Sequence, residues 1–255
     1  MVYDNEGSLA ITRAEIEGLF PVLDEKDAPF VQIFDKITGI GDSLMAGYTA
    51  LHNGTIISSA TARERGANWL TYLGLELGRM PTNLAVGNTE THDWRYKERD
   101  ADLETADIDT NLYIVALGVN DSRHGATIGS SADIKTTVSE NADSYYGNLD
   151  WIVRTLHGYN DQAHVFLFTI PGSETKASDI NTAVRYIANL YSYAHCIDLA
   201  TLYGTEFQEG FIHDNLYSGH YNPITYRLIA SYIGQAMNRY IYENYTLFRD
   251  APYVL

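Results

Sequence analysis

The stretch GIGDSLMAG, residues 39–47, decides how the rest of the chain reads. It follows the apolar run KITGI and sets one serine, Ser43, between Asp42 and Leu44, with glycines at 39, 41 and 47. A dinucleotide loop would need a third glycine where Leu44 stands, and a phosphate loop would need a lysine that is absent. The G-x-S-x-G nucleophile elbow is absent too. What remains is a serine at a strand-to-helix turn. There it is either a nucleophile, whose developing charge the helix N-terminus stabilises, or a residue that merely caps the helix.

Outward from this turn, short apolar runs alternate with helical periodicity. Strands are expected near 36–41, 83–86, 112–117, 164–169 and 194–198. Between them, one helix is expected in ANWLTYLGLELGR, with Trp69, Leu70, Leu73 and Leu77 on one face. A second covers roughly 132–157, and a third carries Ile180, Val184, Ile187 and Tyr191. A last helix starts at Asn222-Pro223, an N-cap followed by proline in the first turn, and runs through Leu228, Tyr232, Ala236 and Tyr240. Strands alternating with helices imply a parallel sheet covered on both faces, with ligands outside the carboxyl ends of its strands.

Residues able to do chemistry follow those strand ends. Gly87 follows the second strand, where the absence of a Cβ lets a backbone N–H approach an oxyanion. Gly118-Val119-Asn120-Asp121 follows the third, and the Asn120 amide can donate to the same oxyanion. His220 lies in a polar loop before the last helix, where the topology can turn it toward Ser43. Taken singly, each also reads as a turn or a solvated loop residue.

Together these blocks, Gly41-Asp42-Ser43-Leu44, Gly87, Gly118-x-Asn120-Asp121 and the late His220, resemble the SGNH hydrolases, or GDSL esterase/lipase family. They occur in the family's order over about residues 39–226, and the glycine-His-Tyr ending is similar to that of phage and gut-bacterial members. The resemblance implies a flavodoxin-like three-layer α/β/α sandwich around a parallel sheet of about five strands. It implies Ser43 as nucleophile, His220 as base, and an oxyanion hole made by the Ser43 N–H, the Gly87 N–H and the Asn120 side chain. No metal or organic cofactor is expected.

One departure stands out. The family places an aspartate three residues before its histidine, and here that position is Tyr217. Asp214 is the nearest acid and the expected third member. A backbone carbonyl or Asp198 are the alternatives for orienting His220. His213 and His124 are rival bases. The acidic run 98–111 mimics a calcium loop at Asp100, Asp102 and Glu104, but Thr105 stands where an EF-hand needs glycine, so a solvated loop is expected.

Composition bounds the partners. A net charge of −16 argues against nucleic acid and anionic membrane surfaces. No apolar run reaches the length of a membrane span. The single cysteine, Cys196, excludes an internal disulfide and reads as a core thiol. Residues 1–30 are polar and acidic and are expected to be an N-terminal extension, with the hydrolase domain over 31–255. No signal peptide is evident, so the expectation is a cytoplasmic protein, or a virion-associated or extracellular one cut from a longer precursor. Twenty tyrosines, with Tyr217 and Tyr221 near the site, suggest a sugar ester as substrate. A lipase is disfavoured, since no lid-like apolar segment is present. The expected activity is removal of acetyl or other short acyl groups from carbohydrate. The alternatives are a glycan-binding or phage-tail scaffold with little turnover, or a lysophospholipase or thioesterase.

Overall fold

A computed structural model describes residues 30–50, 53–57, 68–96, 103, 109–170, 174–201, 216–217 and 219–248. Five strands form one parallel sheet: β1 (Ile37–Gly41), β2 (Thr82–Asn83), β3 (Leu112–Ala116), β4 (His164–Phe168) and β5 (Ala194–Ile197). Their order is β2-β1-β3-β4-β5, that of the flavodoxin-like doubly wound fold, with its switch point between β1 and β3. The second strand, expected at 83–86, is only the two residues Thr82–Asn83 in the sheet. Its chain nevertheless stays against β1, because the Leu84 and Val86 N–H groups donate to the carbonyls of Gly39 and Gly41.

Alternation along the strands feeds two cores. Leu112, Ile114, Phe166 and Phe168 face one side, where α2 (Trp69–Leu77) and α7 (Pro223–Glu243) pack on each other and on the sheet. Tyr113, Val115, Val165 and Leu167 face the other, under α3 (Thr91–Tyr96), α5 (Tyr145–Tyr159) and α6 (Ala177–Leu190). The α2 face expected from Trp69, Leu70, Leu73 and Leu77 is buried as a unit. Gly39 is required by this packing: a Cβ there would overlap Leu70 and Met45.

Two helices differ from the expectation. The one placed over 132–157 begins only at Tyr145, capped by the Ser144 hydroxyl, after two 3-10 turns at Ser131–Asp133 and Val138–Glu140. Short polar side chains win the backbone groups there. Ser130 and Asp133 close a capping box, and the Asn141 side chain accepts from the Lys135 N–H and donates to Gly147 O. The buried Arg95 guanidinium collects the carbonyls of Ser139, Asn141 and Ala142. The last helix starts at its Asn222 cap as expected, but its buried stripe is Tyr226, Ile229, Ile233, Met237 and Ile241, whereas Leu228 is 38% exposed.

Residues 1–29 lie outside the described residues, so the structure says nothing of the expected extension. Among the described residues, no helix is long and apolar enough to cross a membrane.

At the amino end of the sheet, His164 Nδ1 and His195 Nε2 lie 2.8 Å apart, among Phe34, Phe166 and Phe248. Burial is the main cause that pushes His164 down to about 4, with His157 a smaller one, and His195 down to about 3, with His164 a smaller one. The folded protein keeps both rings neutral where the unfolded chain binds protons, below about 6.5. Stability from this pair is therefore present above that pH and falls as the pH drops toward the folded values. Replacing both rings by phenylalanine should shrink the fall in Tm between pH 7 and pH 4.5. An equal fall in the wild type and the variant would refute the assignment. The buried carboxyls of Asp42 and Asp121 titrate with the opposite sign, but they are common to both proteins and cancel.

Candidate active site

The site is assembled at the carboxyl end of β1. The strand ends at Gly41, and Asp42 caps the four-residue helix α1 (Ser43–Ala46), its carboxylate accepting from the Leu44 N–H at 2.9 Å. Capping is thus done by Asp42, and Ser43 takes the first helical position with its hydroxyl unspent. Gly47 closes the helix in the left-handed region, at φ 88°.

Ser43 Oγ lies 2.9 Å from His220 Nε2, across 177 residues of chain. His220 sits on a strand, not in the loop that was expected. Leu216–Tyr217 and His220–Tyr221 form a two-stranded antiparallel ladder, and Tyr217 is the cross-strand partner of His220. The position three residues before the histidine is therefore opposite it in the ladder. Gly219 takes φ 76° at this turn, with the Arg123 guanidinium against it. Arg123 is itself held by Glu174 at 2.6 Å.

One residue, Thr89, links the segments that carry the expected oxyanion donors. Its hydroxyl reaches Val86 O at 2.8 Å and Gly41 O at 3.3 Å, and its carbonyl accepts from Asn120 Nδ2 at 3.0 Å. Thr89 thereby ties the residue before Gly87, the end of β1 and the Asn120 amide together. The Trp94 indole N–H donates to the same hydroxyl. Asn120 is only 7% exposed, on α4 (Val119–Arg123). One of its two amide protons is used on Thr89, which leaves the other for a ligand. A Cβ on Gly87 would also overlap Cζ and Oη of Tyr48. The Tyr48 ring also stacks on His220, centroids 5.5 Å apart. Neither Thr89 nor Tyr48 carries a signal in the sequence.

Two carboxyls are buried beneath the site. Burial is the main cause that raises Asp42 to about 7, with nearby Asp121 adding to it and the Leu44 N–H opposing. Asp121 rises to about 6, again chiefly by burial, although the Thr91 N–H and hydroxyl both donate to it. A small apolar cavity of about 60 Å³ adjoins Asp42, lined among others by Met45, Phe168, Tyr221 and Ile229.

The remaining candidates separate clearly. Asp198 does not serve His220. Burial would raise its carboxyl, but bonds from the Arg185 guanidinium and the Thr169 hydroxyl occupy both oxygens and hold it below the usual range. His124 pairs with Glu90 at 2.7 Å on the surface. Tyr221 is 5% exposed, so it is a core residue and presents no ring to a sugar. Cys196 is half-buried at the edge of a core cluster and not fully inside it as expected, and burial pushes its thiol up to about 12. Asp214 and His213 lie outside the described residues, as do Asp100, Asp102 and Glu104. Among the described residues, no group of three or more histidine, cysteine or acidic side chains is placed to hold a metal ion.

A hydroxyl at a helix start, within hydrogen-bond reach of an imidazole, can perform acyl transfer. Comparison with known proteins agrees. The model of the GDSL-like lipase/acylhydrolase family matches residues 40–228, well over half the chain. Among solved structures, the chain is similar to a protein from Lactobacillus plantarum, at 16% identity and TM-score 0.60, covering 82% of this chain and 97% of the other. It is similar to the psychrotrophic esterase EstA from a Pseudoalteromonas species, at 16% identity and TM-score 0.52, covering 81% and 99%. It is also similar to an acetyl xylan esterase, AlAXEase, at 18% identity and TM-score 0.51, covering 79% and 99%. At these identities the likeness speaks for the fold. A search of curated proteins by sequence finds no match.

Proposed function

Since the chain belongs to the GDSL-like lipase/acylhydrolase family, we propose that it is a serine esterase that removes acetyl or other short acyl groups from carbohydrate, with Ser43 and His220 as its reacting pair. The observation that carries the reading is the 2.9 Å contact between Ser43 Oγ and His220 Nε2. In this reading Ser43 Oγ attacks the acyl carbon while His220 Nε2 takes its proton. The Ser43 and Gly87 N–H groups and the free Asn120 amide proton hold the oxyanion. His220 then protonates the leaving alcohol. Water, deprotonated by His220 in turn, cleaves the acyl-enzyme and regenerates Ser43.

For this to run, the second nitrogen of His220 must carry its proton toward an acceptor. Asp214 is the proposed acceptor, six residues upstream in the sequence. If it holds the tautomer, Asp214→Asn should lower kcat by roughly 10²–10⁴-fold while leaving KM nearly unchanged. An unaltered kcat would assign the role to a backbone carbonyl and leave a Ser-His dyad.

The carbohydrate part of the proposal draws support from the fold shared with an acetyl xylan esterase and a carbohydrate esterase family 2 enzyme. The test is acetate release from acetylated xylan and from peracetylated sugars, set against p-nitrophenyl esters of two to twelve carbons. The proposal expects glycan acetate to be the better substrate by kcat/KM and activity to fall with acyl length. A preference for long acyl chains would instead support the thioesterase or lysophospholipase alternative. Steady glycan binding without Ser43-dependent turnover would support a binding scaffold.

A further inference from the structure

We propose that Tyr48 couples the two halves of the site, its ring setting the spacing between the base His220 and the oxyanion donor Gly87; this rests on the hydrolase reading above. Tyr48 follows the nucleophile helix and is pinned on both sides of its Cα. Its N–H donates to Ser43 O at 2.9 Å, and its carbonyl accepts from the Tyr226 hydroxyl at 2.6 Å. Tyr226 is itself fully buried on α7, so the anchor is rigid. The half-buried ring of Tyr48 leaves this anchored backbone and meets two partners. One face lies on the His220 imidazole, with the planes 28° apart. The tip of the phenol occupies the space a Cβ on Gly87 would fill.

Those two partners move different charges. His220 takes the proton from Ser43, and Gly87 donates to the oxyanion that forms as a result. A ring wedged between them makes their spacing one quantity. Gly87 is not among the residues with positive φ, so its backbone conformation is open to an alanine. The nearest atoms to a side chain at position 87 all belong to Tyr48, so its first effect falls on that ring. A methyl group there pushes the phenol away from Gly87 and against the imidazole. A displacement of about 1 Å at a reacting group costs up to about 10²-fold in rate.

The test is a double-mutant cycle on p-nitrophenyl acetate hydrolysis, with folding of each variant checked by circular dichroism and Tm. Tyr48→Ala should lower kcat by about 10–100-fold with KM changed less than about threefold. Tyr48→Phe keeps the ring and should stay within about threefold of the wild type. Gly87→Ala should cost about tenfold or more in kcat in the wild-type background, but less than about threefold further on top of Tyr48→Ala, because the methyl then meets no ring. Should Tyr48→Ala fold poorly, Tyr48→Phe/Gly87→Ala serves in its place, and it should be as impaired as Gly87→Ala alone. Costs that multiply across the cycle, or a Tyr48→Ala enzyme with wild-type kcat, would overturn the coupling. Wild-type turnover that survives Ser43→Ala would instead overturn the hydrolase reading itself.

Discussion

Ser43→Ala should reduce ester hydrolysis by roughly 10⁴–10⁶-fold, and His220→Ala by a comparable factor, with the double variant no worse than either single one. The expectation comes from their contact. An alkyl-alcohol hydroxyl is a weak nucleophile near neutral pH, and it becomes effective only as its proton passes to a base within hydrogen-bond reach. His220 Nε2 lies at 2.9 Å from Ser43 Oγ, so either residue without the other does no covalent chemistry. Both side chains are half-buried, and neither supports a core cluster, so the folded state should survive their truncation. Steady-state kinetics on matched, folded protein measures the effect. Multiplying losses in the double variant would mean that the two residues act independently and that the contact is not the working one.

Asn120→Ala carries the second large effect. A lost oxyanion donor costs about 10²–10³-fold in kcat, with little change in KM, because the bond matters most when the carbonyl oxygen has become charged. Here there is a further consequence, since Asn120 also donates to the carbonyl of Thr89 at 3.0 Å. Removing the amide leaves that buried carbonyl short of a partner, at a cost of about 1–3 kcal/mol in stability. The variant should therefore show both a lower Tm and a lower kcat. Asn120→Asp should be as poor in kcat as the alanine variant, because a carboxylate repels the oxyanion. A kcat within threefold of the wild type for either variant would remove Asn120 from the oxyanion hole.

The architecture was legible because it is written in local patterns. Four of the five expected strands lie in the sheet, the one expected at 83–86 enters it only at Asn83, and Asn222-Pro223 marks the true start of the last helix, since cap and proline act within one turn. The family was legible too, since Gly41-Asp42-Ser43-Leu44, Gly87, Gly118-x-Asn120-Asp121 and His220 stand in its order and its model matches residues 40–228. The fold brings Ser43 and His220 of that set within 2.9 Å of each other.

What escaped the sequence depends on contacts between distant residues. Tyr48 reads as one tyrosine among twenty, and only the fold sets it between Gly87 and His220. Thr89 reads as a turn threonine, and only the packing of the 86–91 turn on β1 gives its hydroxyl two carbonyls. Tyr221 was expected beside a sugar because it lies next to His220 in the sequence, yet its ring is buried in the core. The helix expected from residue 132 was overruled by Ser130, Asp133 and Asn141, whose side chains bind nearby backbone more readily than a helix would.

The central claim is that Ser43 is a nucleophile activated in place. The most direct measurement is the intact mass of the protein after exposure to a p-nitrophenyl alkylphosphonate, which phosphonylates an activated serine with loss of p-nitrophenolate. The account predicts one adduct per chain, located on Ser43 by peptide mapping, absent from Ser43→Ala and strongly slowed in His220→Ala. An unmodified wild-type protein, or an adduct that persists in Ser43→Ala, would contradict it.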